Sequence, residues 1–294
     1  MKDFWEYFAI RCVLLFTRFI PKSLVYNFCK LVAKIFFKYN KRRSSLTLKN
    51  IRLAYPEKND DEVLFLAKKS YESIAITLAE ILLMLTDRID FDAMVENTQE
   101  ALEQIAQHIN KPQGTIILTA HFSNWELAAH FLAKNGYPMV GIGRRGNNKF
   151  IEERLTAPFR AKYGNQMIYK DSAGTKMIKC LKSGGQLGIL ADQKASGVSS
   201  IKVKFFNQEA DTFNSVAVLK LKYNPTILPI FVARQPNGKY QIIVREPITY
   251  TAEEESEKSI RIKKMTQKYN DVIEEVIRAY PEQWFWMHNR WRIQ

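Results

Sequence analysis

Residues 114–136, GTIILTAHFSNWELAAHFLAKNG, constrain the fold more than any other stretch of this chain. An unbroken apolar run, TIILTA, gives way to a tight turn holding His121, and a helical period then begins near Ser123 and stops at Asn135-Gly136. That order of elements is a buried strand, a turn and a helix. The same grammar recurs downstream, where the apolar runs MVGIG, QLGILA and TILPIFVA are separated by helical stretches such as NNKFIEERLTAPFRAKYG and AGTKMIKCLKSG. Continuous apolar strands alternating with helices predict an α/β fold, a mainly parallel or mixed central sheet flanked by helices. YQIIVREP follows the turn Gln235-Pro236-Asn237-Gly238 and is placed antiparallel to the strand before it.

The amino end is built differently. FWEYFAIRCVLLFTRFIP is strongly apolar yet carries Glu6, Arg11 and Arg18. A spanning helix wants about 20 predominantly apolar residues, and these charges interrupt the run. Neither the basic start nor the small-residue cleavage site of a signal peptide is present. In the next segment Lys30, Lys34 and Lys38 fall at successive i+4 positions, with Leu31, Val32, Ile35 and Phe36 over the remaining surface and Lys41-Arg42-Arg43 beyond. This composition suits helices lying in a membrane interface against anionic headgroups; the alternative is a pair of core helices with a solvated face. Residues 1–43 are therefore expected to form a membrane-associated helical segment, and residues 44–294 the catalytic domain. Asn59-Asp60-Asp61-Glu62 opens a long helix towards Leu85.

Lys+Arg 44 against Asp+Glu 30 gives a formal net charge of +14, which favours anionic partners: nucleic acid, acidic lipid or an acidic carrier protein. No recognisable nucleic-acid motif is present, which disfavours the first. Cys12, Cys29 and Cys180 form no CxxC pair, and this odd, widely spaced set argues against a disulfide framework and a zinc site and for a reducing compartment.

His121 stands at the end of a strand just before a helix, where open α/β sheets place their ligands. A histidine there can accept the proton of an attacking hydroxyl if a carboxylate fixes its tautomer through the other ring nitrogen. Glu126 is the expected carboxylate. On one helix the two would lie about 140° apart around the axis, so the pairing requires His121 to precede the helix and fold back. Against this, Ser123 and Glu126 are spaced as a capping box, which would engage Glu126 at the helix start. Glu126 and His130 are i, i+4 neighbours, but the order is not HExxH and no further His or Cys lies near, so no metal or other cofactor is expected. No serine occupies a GxSxG elbow, and His121 more naturally activates the substrate's own hydroxyl. Arg144 and Arg145 follow the strand MVGIG, with Arg154 and Arg160 on the helix after it, as guanidinium forks suited to phosphate. Asp192-Gln193 follows LGILA and either orients an arginine or a substrate hydroxyl or is structural. The end, PEQWFWMHNRWR, is expected to be a lid over the sheet or an interfacial anchor, with His288 a packed surface histidine.

Taken together, HFSNWE, GRRGNN with its downstream arginine, LADQ, LPIFVAR and PEQWFWMHNRWR resemble the bacterial lipid A biosynthesis late acyltransferases, within the wider HX4D/E lysophospholipid acyltransferases. The likeness extends over nearly the whole chain. HX4E alone is weak evidence, whereas HX4E with ADQ and the tryptophan-rich tail is specific. The resemblance implies transfer of a fatty acyl chain from acyl carrier protein, or less often acyl-CoA, to a hydroxyl of a Kdo-bearing lipid A precursor at the cytoplasmic face of the inner membrane. It implies His121 as base with Glu126 as its partner, and Arg145, Arg160 and Asp192 in substrate-phosphate binding and transition-state support. The family's tail usually carries a basic residue where Asn289 stands. Two alternatives remain: the same reaction on a lyso-glycerophospholipid or mannoside acceptor, and a non-catalytic basic membrane-binding module.

Overall fold

The computed structural model describes residues 1–109, 111–169, 173–250 and 257–292. Four helices come first: α1 Lys2–Phe19, α2 Lys22–Tyr39, α3 Lys41–Ala54 and α4 Asp60–Leu85. The expected start of α4 is a full capping box, Asn59 accepting from the Glu62 amide and Glu62 from the Asn59 amide. The short helices α5 Phe91–Met94 and α6 Thr98–His108 lead to β1 Thr115–Thr119, α7 Trp125–Lys134 and β2 Val140–Gly143. The stretch expected as one helix after β2 is broken into α8 Lys149–Ile151, a π-helical turn Glu152–Thr156 and α9 Ala157–Ala161. Then follow β3 Gln166–Tyr169, α10 Ala173–Lys182, β4 Gln186–Leu190, the pair β5 Ser200–Phe205 and β6 Gln208–Phe213, α11 Ser215–Tyr223, β7 Thr226–Arg234, β8 Tyr240–Val244 and α12 Lys258–Ala279.

Six strands form one mixed sheet in the order β3-β2-β4-β1-β7-β8, parallel except for β8, which runs antiparallel to β7 as the sequence predicts. Alternation along β1 sends Ile116 and Leu118 into the core shared with α12, and Ile117 into the core shared with Leu127 and Phe131 of α7. Both faces are thus covered, which is why the interiors of the central strands are apolar on both sides. β5 and β6 form a separate two-stranded sheet, across a turn in which Phe206 and Asn207 both have positive φ, 53° and 58°.

α2 packs Val25 and Cys29 against Ala75, Ala79 and Leu83 of α4, while Leu24, Phe28, Leu31, Val32, Ile35 and Phe36 face outwards. The expected lysine stripe is divided in use, because Lys30 is paired with Glu72 of α4 at 3.0 Å. α1 buries only Leu14 and Thr17 and exposes Phe4, Trp5, Phe8, Phe16 and Phe19. Among the described residues no helix is long and apolar enough to cross a membrane.

Candidate active site

β1 and β4 are adjacent and parallel, with Thr119 beside Leu190. Two residues further along each chain, His121 and Asp192 leave the carboxyl edge of the sheet side by side. His121 Nδ1 lies 2.9 Å from Asp192 Oδ1, and the Trp284 indole donates to Asp192 Oδ2 at 2.8 Å. Asp192 is almost wholly buried, and burial opposes its charge. The neighbouring imidazole and the hydrogen bonds from His121 and Trp284 outweigh that cost and hold the carboxyl below the usual carboxylate range. A carboxylate accepting at Nδ1 puts the ring hydrogen there and leaves the Nε2 lone pair free.

The turn that carries His121 is held from three sides. Ser123 has a φ of 50°, a left-handed conformation for a non-glycine residue. Its amide donates to Gln283 O at 2.7 Å, its carbonyl accepts from the Thr77 hydroxyl at 3.1 Å, and the Phe285 amide donates to His121 O at 3.1 Å. The helix cap is Asn124, not Ser123: Asn124 Oδ1 accepts from the Leu127 amide at 3.0 Å. Asn124 Nδ2 donates to Glu80 of α4 at 2.8 Å.

Glu126 does not bond His121, which corrects the expected pairing. The helix begins at Trp125, with Glu126 in its first turn, and the Glu126 carboxylate is taken by Arg160 of α9. Arg160 Nη2 donates to Oε1 at 2.5 Å and Nε to Oε1 and Oε2 at 3.1 and 3.3 Å. Burial opposes the Arg160 charge, and Glu126 more than restores it. His130 has each ring nitrogen 2.8 Å from a backbone carbonyl, Glu126 O and Phe159 O, so it ties α7 to α9.

His121, Glu126, Arg144 and Arg160 stand together on the wall of a cavity of about 290 Å³ that runs beneath α7 along the sheet. Its deeper wall is apolar, with Ile117, Leu132, Met139, Ile142, Met167 and Leu190. Gly141 and Gly188 make room there. A Cβ on Gly188 would sit 2.6 Å from Met139 Sδ, and one on Gly141 2.9 Å from Met167 Sδ. Arg145 is not on this wall; its guanidinium lies over the Tyr169 ring, 4.2 Å from the centroid. Tyr169 in turn donates to Glu152 Oε1 at 2.6 Å, and Glu152 Oε2 accepts from the Gly146 amide at 3.1 Å.

A polar end with one oriented imidazole and two guanidinium groups, opening on an apolar slot, is the shape required to hold a fatty chain beside a proton acceptor. The sequence pattern described as bacterial lipid A biosynthesis acyltransferase matches residues 1–293. The chain belongs to that family. It is similar to the lipid A biosynthesis lauroyltransferase of Escherichia coli (strain K12), 25% identical over 281 residues, covering 94% of this chain and 87% of the relative. The lipid A biosynthesis palmitoleoyltransferase of the same organism is 24% identical over 260 residues, 86% of this chain and 80% of the relative. A lipid A biosynthesis acyltransferase of Haemophilus influenzae is 22% identical over 264 residues, 87% and 80%. The chain is accordingly an acyltransferase of lipid A biosynthesis.

The tail of this acyltransferase is neither a lid nor an interfacial anchor. Trp284 and Trp286 are buried, 4.6 Å apart between ring centroids, and pack with Phe205, Phe206 and Trp291. The aromatic load that suggested an interface fills the core behind Asp192. His288 is partly buried, and burial drops its imidazole to about 4; Asp192 opposes the drop, while Arg290, His121 and Lys194 add to it.

Proposed function

We propose that this acyltransferase moves a fatty acyl group from acyl carrier protein to a hydroxyl of a Kdo-bearing lipid A precursor, working at the cytoplasmic face of the inner membrane. His121 is the general base. Its Nε2 takes the proton of the acceptor hydroxyl as the oxygen attacks the thioester carbonyl; the C–S bond then breaks and the carrier's thiol leaves with a proton. Asp192 holds the tautomer and stabilises the imidazolium that forms. A thioester is already activated, so positioning and proton removal are most of what the protein must add. Arg160, fixed by Glu126, and Arg144 supply positive charge where the oxyanion and the acceptor's phosphates gather, with Arg145 at the rim. The apolar slot between α7 and the sheet takes the acyl chain, in keeping with the names of two relatives, lauroyl- and palmitoleoyltransferase. The exposed aromatic faces of α1 and α2, with their lysines and arginines, suit an anionic membrane surface.

The observation that carries this proposal is the His121–Asp192 pair at the mouth of that slot. The test is mass spectrometry of products from purified protein given acyl carrier protein thioesters with either the Kdo-bearing precursor or a lyso-glycerophospholipid. Acylated precursor, absent with His121→Ala, is expected. Turnover of the glycerophospholipid alone would overturn the acceptor, and full activity of His121→Ala would overturn the base.

A further inference from the structure

The loop 143–148, which carries Arg144 and Arg145, has two supports. The inner one is Glu152, which accepts from the Gly146 amide and from Tyr169, beneath Arg145. The outer one is α1, reached through Asn148. Asn148 is buried, and it works in two directions at once. Its Oδ1 caps α8 by accepting from the Phe150 and Ile151 amides at 3.0 and 3.2 Å, while its Nδ2 donates to Asp3 O at 2.8 Å and to Glu6 Oε2 at 2.9 Å. Around this bond Phe150 meets Phe4 edge-on at 6.3 Å and lies 6.2 Å from Tyr7, with the Arg154 guanidinium over both Tyr7 and Phe150.

α1 is a weakly held support. Leu14 and Thr17 are its only buried residues, and its carboxyl end is tied by Arg88, which donates to Thr17 O and Ile20 O. Elements with few buried apolar contacts open locally at low free-energy cost. The opposite face of α1 exposes Trp5, Phe8, Leu15, Phe16 and Phe19, and the exposed Arg11 and Arg18 stand at its flank, one turn either side of Leu14; aromatic and basic residues together are the composition that a lipid interface retains.

We propose that α1 is the outer wall of the arginine loop, that Asn148 is the positioning residue joining them, and that an anionic lipid surface under α1 is what keeps the wall closed. This rests on the membrane-surface reading of α1 given above. In water the support comes and goes, and the loop with it. On a bilayer the apolar face of α1 is seated, and the Asn148 bonds hold residues 143–148 at the cavity mouth. Arg144 and Arg145 are then in place for an anionic acceptor that itself lies in the membrane, so that loop order and access to substrate arrive together.

Asn148→Asp separates the two functions of this side chain. An aspartate caps α8 as well as an asparagine does, but it has no hydrogen to donate and faces the Glu6 carboxylate. Glu6→Gln in the same chain returns a donor, with the amide and carboxylate exchanged. Hydrogen exchange of residues 143–148 is measured with and without phosphatidylglycerol-containing vesicles, with co-sedimentation in parallel. In the wild type, vesicles are expected to slow exchange of this segment about tenfold. Asn148→Asp is expected to sediment equally and lose that protection, and Asn148→Asp/Glu6→Gln to recover most of it. Should Asn148→Asp fail to fold, Asn148→Ser, which keeps a cap but is too short to reach α1, takes its place with the same expected loss. Equal protection in wild type and single variant would overturn the role of Asn148. A wild-type loop indifferent to vesicles, or protein that stays in the supernatant, would overturn the role of lipid. No turnover enters these readouts, so failure of the acyl-transfer assay is a separate result. Where transfer is observed, the single variant is expected to raise KM for the acceptor several-fold and leave kcat within about twofold, a split that a general loss of fold would not give.

Discussion

Trp284 donates its indole hydrogen to the one oxygen of Asp192 that His121 leaves free, so a single buried carboxylate joins the carboxyl-terminal coil to the histidine at the end of β1. The first prediction follows from that bond. Asp192→Asn removes the acceptor that fixes the His121 tautomer and is expected to lower kcat about 10³–10⁴-fold, approaching His121→Ala. Trp284→Phe removes the donor and also part of the buried ring that packs on Phe205 and Trp286, so the hydrogen-bond loss is a lower bound on the cost. It is expected to cost at least about 1.5–3 kcal/mol of stability, the worth of a hydrogen bond to a charged group, with a smaller loss of kcat. Steady-state kinetics and urea unfolding check both; a kcat for Asp192→Asn within tenfold of wild type would remove the carboxylate from the mechanism.

Acid stability is expected to fall in two separate windows. His288 is held at about 4, below the ordinary histidine value of about 6.5, so between these values the unfolded chain binds the extra proton and stability drops as pH falls from 6.5 towards 4. The Asp192 carboxyl is also lowered in the fold, so its contribution is whole above the unfolded value of about 3.9 and is lost only as pH falls below that. Urea midpoints measured from pH 7 to 3 are expected to show a flatter upper window in His288→Gln and a flatter lower window in Asp192→Asn. Identical slopes in all three proteins would contradict both.

The sheet was legible because its central strands are buried on both faces and therefore carry runs of apolar residues without polar alternation. β3 was missed because QMIY is a short edge strand with a polar start, and the β5–β6 hairpin because its turn is Phe206-Asn207 and not the Asn-Gly pair that usually marks a positive-φ turn. His121 was readable from its place between strand and helix. Its partner was not: Asp192 lies 71 residues away and comes alongside only through the β1–β4 register, whereas Glu126 is near in sequence but its carboxylate is engaged by Arg160. Two clues did exist. ADQ stood at the end of a strand, and a parallel neighbour of β1 must present its own end beside His121. The tryptophans of the tail misled because an aromatic cluster among basic residues has the same composition whether it faces lipid or, as here, Phe205 and Phe206.

Glu126 and Arg160 form a fork that only arginine can complete. Glu126→Gln is expected to reduce kcat/KM about 10–100-fold with the pH profile unshifted, because the altered group bonds Arg160 and not the base. Arg160→Lys is expected to behave like the loss of the charge and not like a conservative change, since an ammonium cannot bridge both carboxylate oxygens in this geometry. A pH–rate profile displaced by Glu126→Gln would show that its carboxylate communicates with His121 after all.

Gly188→Ala places a methyl group 2.6 Å from Met139 Sδ, too close for both to stay, so the thioether on the wall of the slot must shift. Competition between acyl carrier protein thioesters of graded length is expected to shift toward shorter chains, by about 10–100-fold against the longest, the range one methylene is worth in an apolar pocket. Met139→Ala is expected to shift preference the other way. Unchanged chain selectivity in both variants would remove the slot beneath α7 as the acyl site.

Glu80 lies at the centre of a buried polar network that reaches the site from behind. Its carboxylate accepts from Asn124 Nδ2 at 2.8 Å, Arg234 Nη2 at 3.0 Å and the Tyr240 hydroxyl at 2.5 Å. Burial and the Glu80 charge together push the Tyr240 hydroxyl well above its ordinary range, so it remains a donor to Glu80 at any working pH. Removing one charge of such a pair leaves the other buried and unmatched, at a cost of roughly 3–5 kcal/mol, whereas removing both is far less damaging. Glu80→Met is therefore expected to lose several kcal/mol in urea unfolding, and Glu80→Met/Arg234→Met to regain most of it. Neither variant restores the anchor for Asn124, the residue that caps α7 three positions after His121. The double variant is accordingly expected to fold well and still turn over at least tenfold more slowly than wild type, with KM little changed. If activity returns together with stability, Glu80 supports the fold alone and the turn is held well enough by Thr77 and Gln283.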